Sequence, residues 1–144
     1  MGYRSDVAYT IRFKTEQAYR LFILEAKAKD LGSCFSDDNS PYDEAECDDK
    51  RWRINFHAQS TKWYPSDPAV AMHEKLLALA DEWIDSDDHV KIKDGGLEAD
   101  IEPYRLGYIY VRVGEDTNDV EERSNGDCDW AWLCVSRQIV GDWL

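Results

Sequence analysis

Between Val7 and Leu31 the spacing of apolar side chains changes from two residues to about 3.6, which predicts a strand followed directly by a helix. Val7, Tyr9, Ile11 and Phe13 share one face of an extended chain, the pattern of a half-buried strand. Thr15 then offers a side-chain oxygen to the first orphan amides of a helix. Leu21, Leu24, Ala28 and Leu31 continue at helical spacing, and Gly32 is the expected stop.

The same order repeats. Arg51 to Ser60 alternates, with Trp52, Ile54, Phe56 and Ala58 on one face. Asp67 caps a second predicted helix and Pro68 suits its first position, where no amide is needed. Ala69, Met72, Leu76, Leu79, Ala80 and Trp83 form its apolar stripe, and Asp85 to Asp88 end it. Val90 to Ile101 reads as a short hairpin about Asp94-Gly95-Gly96, and Tyr108 to Val113 as a strand. Gly114 to Asp129 is acidic and turn-rich, with Ser124-Asn125-Gly126 as a tight turn. Trp130 to Val140 is apolar on both faces apart from Ser136, Arg137 and Gln138, so a central strand is expected. Ser33 to Asp49 has no period and reads as a long acidic loop. The expected fold is therefore α+β. It has a mostly antiparallel sheet of four to six strands and two helices on one face, a ferredoxin-like or related sandwich.

A chain of 144 residues is one ordinary domain, spanning 1–144, with no internal repeat or linker. Six Trp, eight Tyr and four Phe carry enough ring surface to offset the entropy of ordering. No apolar run approaches the roughly 20 residues that span a bilayer. The opening Met1 to Asp6 lacks the apolar core of a signal peptide and does not fit the myristoylation pattern, so a cytoplasmic location is expected. In that reducing compartment Cys34, Cys47, Cys128 and Cys134 are expected as free thiols.

Charge narrows the partners. The net charge of −13 disfavours nucleic acid, whose binders must supply cations to displace counterions, and disfavours anionic membranes. The excess is local. Residues 33–50 hold seven acids against Lys50, and residues 85–129 hold fourteen acids against five bases. The other stretches are balanced or slightly basic. A basic protein is the electrostatically natural partner.

Motifs for catalysis are missing: there is no GxSxG, P-loop, GxGxxG or HExxH. His57, His73 and His89 have no cysteine at zinc-like spacing. His57 is expected on the polar face of its strand, and His73 on the flank of the second helix. The run Gly114 to Glu122 is rich in oxygen ligands but places Val120 where an EF-hand needs a ligand. No enzyme activity, metal or cofactor is expected, and a metal-dependent enzyme is the weakest of the alternatives.

Met1-Gly2-Tyr3-Arg4-Ser5-Asp6-Val7 resembles the opening of a group of small proteins encoded in bacteriophages and prophages. Tyr110 to Asp116, followed by Asp119-Val120-Glu121, is similar to a late segment of that group. The strand leading into Lys62-Trp63-Tyr64-Pro65 and a helix resembles ferredoxin-like domains of mobile elements. Together the first two segments cover about 20 residues. The resemblance implies an origin, and small acidic phage proteins often act on host nucleic-acid enzymes and defence complexes.

The expectation is thus an acidic phage-type protein that binds and inhibits or modulates a basic host protein, such as a nucleic-acid-binding or defence component. Anti-CRISPR or anti-restriction action and DNA mimicry fall within it. The contact set is Asp37, Asp38, Asp43, Glu44, Glu46, Asp48 and Asp49, with Glu115, Asp116, Asp119, Glu121 and Glu122. Trp63 and Tyr64 join it if their strand-to-helix junction is exposed rather than core. The alternative is a structural or accessory phage protein whose acidity only confers solubility.

Overall fold

A computed structural model describes residues 3–35, 43–85, 106–116, 118–126, 133–135 and 139–141. The chain runs β1 (Ser5–Phe13), α1 (Glu16–Ala28), a 3-10 turn (Gly32–Phe35), β2 (Asp43–Asp48) and β3 (Arg53–Thr61). It continues through α2 (Pro68–Asp85), β4 (Leu106–Gly114), β5 (Val120–Gly126), β6 (Leu133–Val135) and β7 (Ile139–Gly141). Five strands form one antiparallel sheet in the order β2-β3-β1-β4-β5. Up to β4 this is the β-α-β-β-α-β path of a ferredoxin-like sandwich, and β5 extends the sheet beyond β4.

The core follows from the alternation in β1. Val7, Tyr9, Ile11 and Phe13 are all buried, and their partners Ile54, Phe56, Ala58, Tyr108 and Tyr110 lie on the same face. Both helices cover that face. Phe22 of α1 meets Phe13 at 5.1 Å and Trp83 of α2 at 5.5 Å between ring centroids. The Trp83 indole also donates to Glu25 Oε2 at 2.9 Å, tying the two helices together. Aromatic pairs of this kind add about 0.5–1.5 kcal/mol beyond their area burial.

The opposite face is also closed at its centre, where Ala8, Thr10 and Val111 are buried. Strands β6 and β7 pair with each other and lie against β4 and β1. Both edges of β4 are already hydrogen-bonded, so this contact is across the face of the sheet. The expected single central strand from Trp130 to Val140 is thereby corrected. The polar stretch Ser136-Arg137-Gln138 falls between two short antiparallel strands, and β1 holds the central place.

Three further expectations change. Helix α1 ends at Ala28, and its left-handed residue is Asp30 (φ 62°), not Gly32. Asp30 N donates to Lys27 O and Leu31 N to Ala26 O, a Schellman closure that places Leu31 back in the core. The stripe of α1 is rotated: Tyr19, Phe22 and Ala26 are buried while Leu24 is 64% exposed, because the two rings offer more area to the sheet than the leucines. In α2, Ala69 is exposed, and Val70, His73 and Leu77 join the buried side.

Ser124, Asn125 and Gly126 are strand rather than turn, opposite Ile109, Tyr108 and Gly107. The reversal instead lies between Gly114 and Asp119, closed by Gly114 N to Asp119 O at 2.8 Å. Gly126 sits at φ 74° inside β5, a conformation that costs glycine nothing. The expected hairpin at Val90 to Ile101 lies outside the described residues, of which no helix is long and apolar enough to cross a membrane.

Candidate functional site

Asp43 to Asp48, expected as loop, is a strand at one edge of the sheet. Its alternation is real but weakly apolar. Ala45 and Cys47 pack against the core, opposite Phe56 and Ile54, while Glu44, Glu46 and Asp48 occupy the other set of positions. An edge strand needs only one apolar side and one row of backbone partners, so charged positions are well tolerated and discourage edge-to-edge association.

The carboxylates of this edge have different duties. Asp48 Oδ1 accepts from the amides of Lys50 (3.0 Å) and Arg51 (3.1 Å), shaping the hairpin in which Trp52 adopts φ 55°. Asp49 accepts from the Tyr19 hydroxyl at 2.7 Å. Burial first, and this bond second, hold the Tyr19 pKa well above its usual value. Glu46 is exposed and accepts a long 3.4 Å bond from Asn55, which Thr10 in turn fixes at 2.7 Å. Among the described residues, the only cation within ion-pair distance of Glu46, Asp48 or Asp49 is exposed Arg51, at 4.0 Å from Asp48. Asp43 and Glu44 belong to the same strand, and Asp37 and Asp38 lie outside the described residues.

Beside β2, between it and α1, runs a groove of about 490 Å³. Tyr19, Ile23, Leu24 and Cys47 line it, with Arg20 and Lys27. Burial raises the pKa of the Cys47 thiol, and burial pushes that of Cys34 up to about 12. Both thiols are free.

The second acidic group is built differently. Arg112 of β4 binds Asp119 through two nitrogens (2.7 and 3.1 Å) and reaches Glu121 at 3.2 Å. Asp119 also accepts from the Tyr3 hydroxyl. The Arg112 guanidinium and then Tyr3 hold the Asp119 carboxyl down at about 2. On β5, Arg123 lies 4.2 Å above the Tyr110 ring, binds Glu74 of α2 at 2.8 Å and stands 3.5 Å from Glu121. Asn125 donates to Asp81 of α2 at 2.9 Å. An unbroken chain therefore runs Tyr3–Asp119–Arg112–Glu121–Arg123–Glu74. Glu115 takes the amide of Arg4 at 2.8 Å, and exposed Asp116 donates its own amide to the Tyr3 oxygen at 3.1 Å. Glu122 is exposed on the face away from the helices.

Among the described residues the two acidic groups are well separated. They stand on β2 and β5, at opposite edges, with three strands between them. Four strand spacings are roughly 19 Å, about twice the Debye length at physiological salt, so the edges act independently. Asp119 and Glu121 each have arginine within ion-pair distance. Trp63 is half-buried against Phe56 (5.8 Å) and His73 (5.5 Å), while Tyr64 is exposed.

His73 is 4% exposed, the reverse of the expected flank position. It continues the helical series Val70, His73, Leu76, Leu77 and Ala80, a signal that the sequence did carry. His57 is partly buried, opposite Ala8 on the face away from the helices, as expected for a polar strand position. Among the described residues no three His, Cys, Asp or Glu side chains converge as metal ligands. No protein-family model matches this chain, and neither a curated protein nor a solved structure matches it.

Proposed function

We propose that the chain is a binding domain that docks on a basic protein through its β2 edge. The observation that carries this reading is the contrast between the two edges. Arg112 and Arg123 bind Asp119 and Glu121 of β5 and its turn closely, whereas among the described residues exposed Glu46 of β2 meets only the Asn55 side-chain amide. A carboxylate such as that of Glu46, on a hydrogen-bonded strand, has a fixed backbone position, and a basic partner gains most from charge that is already ordered.

The partner class follows from charge and resemblance together. A nucleic-acid-binding protein carries the basic surface that this edge attracts, and the phage-like segments support a host target such as a defence component. Inhibition by occupying such a surface needs only one edge. Mimicry of a long phosphate row would draw on both edges, and their separation favours simple occupation.

A fluorescent lysine–glycine peptide tests the reading by anisotropy. Binding is expected at low salt and should weaken steeply as salt rises. The double variant Glu44→Gln/Glu46→Gln should lose about tenfold in affinity, equivalent to 1.4 kcal/mol. Asp116→Asn/Glu122→Gln at the other edge should leave it nearly unchanged. Absence of binding at low salt, or equal losses from the two double variants, would sink the proposal.

A further inference from the structure

We propose that Asn125 is a site of self-modification: the Gly126 amide nitrogen closes on the Asn125 side chain, ammonia leaves, and the aspartate or isoaspartate that results releases the end of β5 from α2. The inference concerns β5 and α2 alone and is independent of docking at the β2 edge.

The sequence supplies the pair. An asparagine followed by glycine is open to this ring closure because no side chain stands beside the attacking nitrogen. The structure supplies the approach. Gly126 N donates to Asn125 Oδ1 at 2.8 Å, so the side chain is folded back over the peptide that would attack it. Oδ1 is bonded to Cγ, which puts the nitrogen beside the carbon it must reach. On the other side, Asn125 Nδ2 donates to Asp81 Oδ1 at 2.9 Å and, more loosely, to Asp85 Oδ1 at 3.4 Å. Carboxylates on the nitrogen and an N–H on the oxygen fix the orientation of the amide. Holding the reacting groups in one arrangement removes part of the entropy cost of closure. Gly126 is exposed, so water reaches the pair.

Water is the one co-reactant. Hydroxide from solvent takes the Gly126 amide proton, the nitrogen bonds to Cγ, and the Cγ–Nδ2 bond breaks. Nδ2 takes a proton from water and leaves as ammonia, which regenerates hydroxide. A second water then opens the five-membered imide at either carbonyl. One route gives aspartate. The other gives isoaspartate, in which the main chain runs through Cβ.

Both products act on the same contact. Asp81 Oδ1 accepts from Asn125 and from the Tyr108 hydroxyl, each at 2.9 Å, so it joins β4 and β5 to α2. A carboxylate at position 125 has no proton to donate and faces Asp81 and Asp85 with like charge, so repulsion replaces the tie. Isoaspartate also adds a carbon to the backbone where Asn125 pairs with Tyr108 and Gly126 with Gly107. Arg123 still binds Glu74, so the loosening begins beyond it.

Asn55 and Asn118 are internal comparisons. Each precedes a residue with a side chain, Phe56 and Asp119, and Asn55 is buried with its Oδ1 held by Thr10.

The test holds the folded full chain at neutral pH and follows its asparagines by peptide mass mapping. An acetylated, amidated peptide of residues 122–127 is the reference. Asn125 should convert at least as fast as in the peptide, with isoaspartate among the products, and at least about tenfold faster than Asn55 or Asn118. Asn125→Gln, which would have to close a six-membered ring, should stay unconverted. Hydrogen exchange at Tyr108 and Gly126 should quicken in the converted chain, and Asn125→Asp should reproduce that change. Conversion slower than in the peptide means that the fold shields the pair and overturns the proposal. A smaller ratio to Asn118 overturns it too, because the geometry at Gly126 then has no part. Conversion with unchanged exchange refutes the release of β5.

Discussion

Tyr9 and His73, 64 residues apart in sequence, share a buried hydrogen bond of 2.8 Å between the tyrosine hydroxyl and imidazole Nδ1. The contact locks the middle of β1 to the first half of α2. His73 is also packed on Phe56, with ring centroids 4.2 Å apart. An imidazolium in this aromatic pocket would lose its hydration, so burial lowers the His73 pKa from 6.5 to about 4.

Stability should therefore fall as the pH drops from 6.5 towards 4. In that window the unfolded chain binds a proton at His73 that the folded chain refuses, and the difference amounts to on the order of 3 kcal/mol. Urea unfolding at successive pH values measures the slope. His73→Gln should be less stable at pH 7 and show a shallower slope between pH 6.5 and 4. An unchanged slope would mean that other groups set it.

Asp119 acts in a lower and separate window. Its folded pKa is depressed to about 2 from an ordinary 3.8, first by Arg112 and then by Tyr3. Its contribution is present above pH 3.8 and is lost as pH falls through 2. Arg112→Met should return Asp119 towards its ordinary value and move the acid-unfolding midpoint upward. Tyr3→Phe should move it in the same direction by less. Acid titration followed by tryptophan fluorescence checks both, and a midpoint that Arg112→Met leaves in place would refute the assignment.

Gly126 should be the least replaceable of the described glycines in β5 and the 3-10 turn. Its φ of 74° suits glycine, and a Cβ there would run into the Leu106 carbonyl and the Gly107 backbone. Gly126→Ala should cost about 2 kcal/mol or more, because a left-handed φ and a backbone clash add. Gly32→Ala is the control: its added Cβ meets only the Lys27 side chain, at 3.5 Å. Denaturant midpoints should drop for the first and stay close to wild type for the second.

Strands and helices with a strong apolar period were legible from the sequence. β1, β3, β4 and α2 stand close to where their patterns placed them. The acidic edge strands were not. β2 shows only Ala45 and Cys47 as an apolar side, and β5 is hydrophilic at nearly every position, so hydropathy carries little signal for either. Leu24 was misplaced because α1 offers two overlapping stripes, and spacing alone cannot rank leucines against Tyr19 and Phe22. The arginine pairing of Asp119 and Glu121 was hidden for another reason. Arg112 lies seven and nine residues away and meets them only across the turn between β4 and β5.

Sequence alone determined the α+β class, the two strand-to-helix units β1-α1 and β3-α2 and the existence of two acidic regions, since periodicity and charge are local properties of the chain. Tertiary structure decided what those regions are. Antiparallel pairing placed β2 and β5 at opposite edges of one sheet, and the order β2-β3-β1-β4-β5 depends on contacts between residues far apart in sequence. That order left Glu46 exposed on an edge strand and set Asp119 and Glu121 against arginine. Local pattern fixes which residues are acidic; only long-range pairing fixes which of them have their charge answered.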